Sequence, residues 1–136
     1  MSRATCLGIV VVLGLAGCQT APEQIKIPPL PAEGQPIAYA DVVQRARVLA
    51  TTATEAFYID KWGEVESAAL GLEQTALYLP KAADVPPARR ASLDAQLQSL
   101  IRESQELRDA AKKNDEKRTN ATLQRIHLLV RELRPE

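Results

Sequence analysis

The chain has 136 residues and balances seventeen lysines and arginines against seventeen aspartates and glutamates. A chain without net positive charge has no long-range attraction for a polyanion, which argues against a nucleic-acid-binding function. Aromatic residues make up only 4% of the chain and alanine is plentiful, a composition typical of packed helices and unlike that of a β-sandwich.

The N-terminal residues have the pattern of a secretory signal peptide. Arg3 precedes an apolar stretch from Leu7 to Leu15, and small residues follow it. The run Leu15-Ala16-Gly17-Cys18 resembles the lipobox of bacterial lipoproteins. This resemblance implies cleavage before Cys18, a diacylglyceryl thioether on Cys18, and usually a third acyl chain on the new N-terminus. The alternative is an ordinary signal peptide cut nearby, which would leave Cys18 a free thiol.

Lipidation predicts where the protein is located. The apolar stretch is shorter than the ~20 residues that cross a bilayer, whereas two or more acyl chains give stable membrane attachment. In the lipoproteins that this chain resembles, Asp after the cysteine tends to retain the protein at the inner membrane. Gln19 stands there instead, so we expect an outer-membrane lipoprotein that faces the periplasm. Since Cys6 leaves with residues 1–17 and Cys18 carries lipid, the core alone must hold the domain together.

Residues 18–37 are predicted to form a tether. The segment contains several prolines, which remove backbone donors and disfavour helix in the preceding residue. The prolines are Pro22, Pro28, Pro29, Pro31 and Pro36. We expect an extended, partly polyproline spacer that reaches roughly 55 Å at ~3.1 Å per residue.

Residues 38–136 carry four apolar stripes at helical spacing. The stripes are Val42, Ala46, Leu49, Ala53 and Ala56; Trp62, Val65, Ala69, Leu72, Ala76 and Leu79; Leu93, Leu97, Leu100, Ser104, Leu107 and Ala111; and Thr119, Leu123, Ile126, Val130 and Leu133. None of these helices can bury its stripe alone. The sequence therefore predicts an all-α domain, an antiparallel up-down-up-down four-helix bundle.

The predicted breaks between the helices differ in their signals. Prolines interrupt the second and third helices at Leu79-Pro80 and Val85-Pro86-Pro87. The run Lys112–Asp115 supplies cations for one helix C-terminus and a cap for the next helix. Between the first two helices, Asp60 is predicted to cap a helix that starts at Lys61. The alternative is one long bent helix from about Asp41 to Leu79, which would make the protein a dimer.

His127 is the only histidine and the main candidate ligand. The helix order, Trp62 and the closing run Leu123–Leu133 resemble four-helix bundles of the cytochrome c′ and cytochrome b type, in which a histidine near the end of the last helix ligates haem iron. The chain has no Cys-x-x-Cys-His motif, and Met1, its only methionine, is removed, so covalent haem and a Met–His axial pair are excluded. We expect a haem-free relative in which His127 is a half-buried interface residue; a metal or haem ligand is the alternative.

The remaining polar residues show no catalytic pattern. The chain has no Glu-x-x-His spacing, phosphate loop, nucleophile elbow or zinc spacing. Charged runs such as Arg102-Glu103 are interpreted as solvated helix faces with local pairs. We therefore predict that the protein is not an enzyme, holds no metal and needs no cofactor.

These features predict a membrane-anchored envelope lipoprotein whose helical domain is non-catalytic and serves protein–protein interaction or envelope support. Its partners would be the membrane, through the lipid on Cys18, and an envelope protein, with no nucleic acid. A small-ligand or metal-binding periplasmic bundle with His127 near the pocket is the alternative. Leu128 lies nearly opposite the fourth stripe; with Leu70 or Leu77 it forms either an exposed patch or part of a wide buried face.

Overall fold

The computed structural model describes residues 26–32 and 34–134, and this part of the chain is helical, with no β-strand. The predicted signal peptide, residues 1–17, and Cys18 lie outside the described residues. The helices are α1 (Tyr39–Tyr58), α2 (Trp62–Ala76), a 3₁₀ turn (Leu79–Lys81), α3 (Pro87–Arg90), α4 (Leu93–Lys112) and α5 (Glu116–Glu132). Within the described range, none of these helices has the length and apolarity needed to span a bilayer.

The four long helices surround one apolar core. Helix α1 packs against α2 and α5, and α4 packs against the same two helices. Every position of the four predicted stripes is buried except Trp62 and Leu97, which are half-buried against the core. Small residues allow close approach of the helices: a Cβ on Gly71 of α2 would lie 2.9 Å from Leu49 of α1. The predicted all-α core is therefore confirmed.

Two similar turns end α1 and α4. Asp60 and Asn114 both adopt the left-handed conformation, with φ of 57° and 49°. After α1, the amide of Lys61 donates to the carbonyl of Ala56 and the amide of Asp60 to that of Phe57, at 2.9 and 3.2 Å. The same pair of bonds follows α4. This is the Schellman motif, which usually places glycine at the left-handed position.

The first turn corrects one prediction and decides another. Asp60 does not cap α2: the residue before α2 is Lys61, and it makes no side-chain capping bond. Asp60 instead ends α1, because aspartate tolerates the left-handed conformation better than most residues. Helices α1 and α2 are separate, so the alternative of one long helix is wrong. At the other turn, Asp115 caps α5 by accepting a hydrogen bond from the Arg118 amide at 3.0 Å, as predicted for the run Lys112–Asp115.

Substitutions at Asp60 test this turn. Asp60→Val is expected to lower the free energy of unfolding by about 1–2 kcal/mol, because a β-branched residue is strained at positive φ. Asp60→Gly should be neutral or slightly stabilising, since glycine adopts this conformation without strain. Urea unfolding of both variants measures the difference. Lys61→Val, at a neighbouring residue with φ of −88°, is the control and should change little; equal effects of valine at both positions would contradict the assignment.

The long connection between α2 and α4 folds back onto the start of α1. Its prolines begin short helices rather than only breaking long ones, since proline suits the first helical turn. Asp84 accepts a hydrogen bond from the Tyr39 amide at 2.6 Å, and the Ala83 amide donates to the Ile37 carbonyl at 3.0 Å. The Tyr39 hydroxyl donates to the carbonyl of Leu133 at 2.8 Å. The start of α1, the connection and the end of α5 therefore meet at one end of the domain.

Ion pairs join α4 to both neighbouring helices. Glu103 lies 2.8 Å from Arg125, and Glu106 lies 2.7 Å from Arg118, both on α5. On the other side, Glu73 of α2 pairs with an arginine of α4 at 3.1 Å. The hydrogen bond that Arg118 donates to Glu106 raises the pKa of the Arg118 guanidinium. The predicted pairing within single helices is thus supplemented by pairs between helices, which periodicity alone does not identify.

Candidate functional site

The segment before α1 packs on the domain, at least in part. Leu30 and Ile37 are half-buried, and Ile37 contacts the core. The Arg45 guanidinium of α1 donates to the carbonyl of Pro28 and, at 3.0 Å, to the hydroxyl of Thr75 on α2. We call residues 26–32 and 34–37 the strap. The strap contains no helix, as the prolines predict, but it is held against the domain instead of standing free.

Arg45 is suited to hold the strap in place. Burial lowers the pKa of its guanidinium, partly opposed by Tyr78. The Thr75 hydroxyl donates its own proton to the carbonyl of Gly71 at 2.6 Å, so its oxygen is free to accept from Arg45. A half-buried guanidinium needs such acceptors to offset lost hydration, and the Pro28 carbonyl is one of them.

Docking of the strap shortens the predicted tether. From Cys18 to Pro28 the chain has about ten residues, which span at most about 36 Å when fully extended. The prediction of roughly 55 Å treated all of residues 18–37 as free, so it is too long once Pro28 is bound. With Pro28 docked, only the residues before it can act as a spacer.

His127 lies on the surface between α5 and α1. Its residue is exposed, so the prediction of a half-buried position is wrong. Its Nε2 lies 2.9 Å from the hydroxyl of Thr54, which itself donates to the Ala50 carbonyl at 3.0 Å. With that hydroxyl proton on the Ala50 carbonyl, Thr54 can accept a hydrogen bond from the tautomer of His127 that is protonated at Nε2. Across the described ranges, no three His, Cys, Asp or Glu side chains are grouped so that they could hold a metal ion.

The outward-facing leucines do not form one patch. Leu70 of α2, Leu77 at the C-cap of α2 and Leu128 of α5 are all exposed, so the prediction of a wide buried face is wrong. Helices α2 and α5 each pack on α1 and α4 and make no extensive contact with each other. Leu128 lines a cleft with Ser99 and Arg102 of α4. Leu77 directly follows α2 and keeps helical dihedral angles, with φ of −64° and ψ of −15°. It therefore projects in nearly the same direction as Leu70, seven residues earlier, and the two share a separate face.

Among the described residues, the most exposed large apolar side chains lie at the turn between α1 and α2. Tyr58 is 74% exposed and Ile59 is 60% exposed. Phe57 packs edge-to-face on Trp62, with ring centroids 5.7 Å apart. An open cleft of about 360 Å³ joins Phe57 and Tyr58 to Glu116, Lys117 and Asn120, so the two Schellman turns lie side by side. We call residues 57–62 and 112–117 the turn tip.

The turn tip is not among the sites that the sequence pattern predicts. A signal was present: Tyr58 and Ile59 are bulky apolar residues that fall outside both neighbouring stripes. They could have been recognised as exposed only with Asp60 placed as the end of α1 rather than as a cap of α2.

Comparison of this chain with protein-family models, with curated proteins and with solved structures finds no match.

Proposed function

We propose that this protein is an envelope lipoprotein, anchored through the lipid on Cys18 and located at the outer membrane facing the periplasm. Its domain has a non-catalytic role: it binds an envelope protein or supports the envelope. The domain is an antiparallel up-down-up-down four-helix bundle. Support for this topology comes from the short turns Ile59–Lys61 and Lys113–Asp115, which join helices in contact, and from the bond between Tyr39 and Leu133 at the opposite end.

A non-catalytic role is supported by how the bundle uses its charged side chains. Glu103 and Glu106 are engaged with arginines of α5, and Glu73 is engaged with α4. These carboxylates join helices, because each is held by an arginine of a neighbouring helix. Glu103 shares an open cleft with Ser99, but it is paired with Arg125 there. A carboxylate engaged in such a pair is not free to act as a general acid or base.

The observation that carries the binding role is the exposed face of α2. Leu70 and Leu77 are 42% and 50% exposed and lie on one side of the helix, about two turns apart. Single exposed leucines are common, but paired ones on a continuous face are typical of a contact surface. Helix α2 packs its opposite side into the core through Leu72 and Ala69, so the leucines are available to a partner.

Lipidation is tested by labelling. Cells expressing the full chain are given labelled palmitate, and the label is expected to enter the protein and to be lost in Cys18→Ser. The variant should also move from the membrane fraction to the soluble fraction, because a chain without acyl groups has lost its anchor. Absence of label, or an unchanged distribution of Cys18→Ser, would contradict the membrane anchor.

The binding face is tested by photocrosslinking in membranes. A photoreactive residue at Leu77 is expected to give an adduct with a discrete envelope protein, and Leu70→Ser on the same face should abolish that adduct. The control position is Gln124, an exposed polar residue of α5, which should give none. An adduct that persists in Leu70→Ser, or equal adducts from Gln124, would contradict the proposal that α2 is the binding surface.

A further inference from the structure

The turn tip is an ordered apolar projection. The Schellman hydrogen bonds of Asp60 and Lys61 fix its backbone, and the contact between Phe57 and Trp62 fixes its base. Tyr58 packs on Phe57 with ring centroids 5.6 Å apart. The exposed side chains therefore project from a rigid support, and their exposure is not the result of a loose loop.

Lysines outnumber the acidic residues of the turn tip. Lys112, Lys113 and Lys117 are exposed, and none of them forms an ion pair within the described ranges. Lys117 lines the cleft beside Tyr58, together with Glu116. With Lys61, the tip has four lysines against three acidic residues, Asp60, Asp115 and Glu116, of which Asp115 is engaged as the cap of α5. Exposed aromatic and aliphatic side chains with a surplus of lysines match the boundary of a lipid bilayer, where the apolar groups enter the headgroup region and the ammonium groups meet lipid phosphates.

The length of chain before the strap allows the tip to reach the membrane that holds the acyl chains. Pro28 is bound at Arg45, which lies about 20 Å from Tyr58 along α1 at ~1.5 Å per residue. The stretch from Cys18 to Pro28 spans up to about 36 Å, which exceeds that distance. The strap can therefore stay docked while the tip and Cys18 contact one bilayer.

We propose that the turn tip docks on the lipid surface, with Tyr58 and Ile59 in the interfacial region and the lysines on anionic headgroups. The domain is then attached at two points, the lipid on Cys18 and the tip, to the membrane that holds the acyl chains. The identity of that membrane rests on the proposed lipidation of Cys18, but the affinity of the tip for lipid does not. The inference leaves the α2 face exposed to a protein partner.

The only tryptophan of the chain, Trp62, reports on this contact. The mature chain, residues 18–136 with Cys18→Ser, is mixed with vesicles of equal parts phosphatidylcholine and phosphatidylglycerol. We expect a blue shift of Trp62 emission and quenching by brominated acyl chains. Replacing Lys112, Lys113 and Lys117 by glutamine should weaken binding and reduce its salt dependence.

The decisive variant is Ile59→Asp, which is expected to weaken vesicle binding by about tenfold or more. Because Ile59 is 60% exposed, the variant should fold, and circular dichroism verifies this. Leu128→Asp is the matched control: that leucine is 49% exposed on the flank of α5 and should leave binding unchanged.

Each outcome bears on the proposal. Absence of quenching in both the lipidated and the unlipidated chain, or binding that survives Ile59→Asp, overturns it. If a photoreactive residue at Tyr58 then gives a protein adduct, the tip is a protein-binding site. If the chain shows quenching but incorporates no palmitate in cells, the tip is supported as a lipid-binding site and the proposed anchor on Cys18 is contradicted. If the chain incorporates palmitate but shows no quenching, the anchor on Cys18 is supported and lipid binding by the tip is contradicted.

Discussion

Leu100→Asp and Ile126→Asp are each expected to unfold the domain at ambient temperature. Both side chains are fully buried, Leu100 on α4 and Ile126 on α5. A buried carboxylate without a partner costs several kcal/mol, and loss of the apolar contacts adds to it. Domains of this size have a free energy of unfolding of only about 5–15 kcal/mol. Circular dichroism should therefore show loss of the cooperative thermal transition, or a midpoint lowered by tens of degrees.

The control for this experiment applies the same substitution at an exposed leucine. Leu128→Asp introduces the same charge on α5 at a position that is 49% exposed, and its melt should stay close to that of the unmodified chain. Lys112→Ala, on an exposed lysine, should change stability by no more than about 0.5 kcal/mol. If Leu100→Asp melts like Leu128→Asp, the assignment of the core face of α4 is wrong.

Helical periodicity was sufficient to predict the core. A stripe at spacings of three and four depends only on the geometry of one helix, and each stripe had enough apolar residues to define its face. The breaks at the prolines were equally local. The role of Asp60 was harder to predict, because the same residue type caps a helix start and tolerates a left-handed helix end. The backbone contacts on each side decide between these roles.

The contacts made by the strap and by the connection between α2 and α4 could not be predicted from the sequence, for a different reason. Arg45 meets Pro28 and Thr75, and Tyr39 meets Asp84, only after the helices have packed. No spacing in the sequence encodes these pairs, since they join segments whose relative position is set by the whole fold. Composition marked the proline-rich segment as non-helical, but it carried no information on whether the segment is free or docked.

The surroundings of the exposed leucines and of His127 also could not be predicted from periodicity alone. Periodicity identified Leu70, Leu77 and Leu128 as residues off the core face, and all three are exposed. Whether they share a surface depends on which helices are neighbours, and α2 and α5 are separated by α1 and α4. His127 was expected to be half-buried at an interface; it contacts Thr54 of α1, but its side chain is exposed. A shift of one position on a helix changes direction by about 100°, which is enough to move a side chain from half-buried to exposed.

Tyr39 is expected to be the most sensitive single side chain after the core leucines. It is 1% exposed and among the largest fully buried side chains. Tyr39→Ala should lower the free energy of unfolding by about 3–5 kcal/mol, because an aromatic side chain is removed from a packed site. Tyr39→Phe keeps the ring and loses only the bond to the Leu133 carbonyl, which costs about 1 kcal/mol. Urea unfolding of both variants should give this order, and equal losses would show that the ring packing contributes little.

The hydroxyl of Tyr39 also predicts a dependence of stability on alkaline pH. Burial raises the pKa of this phenol above its ordinary value, with Arg89 partly opposing the shift. In the unfolded chain the phenol ionises near pH 10, so from that pH upward the folded state holds the proton more tightly than the unfolded state. The stability that this contributes is fully present below about pH 10 and is lost as the pH rises through the raised native pKa. Unfolding measured from pH 8 to 11 should therefore show a steeper loss for the unmodified chain than for Tyr39→Phe. Since the two chains differ only at residue 39, parallel curves would mean that the phenol is not buried at the junction of α1 and α5.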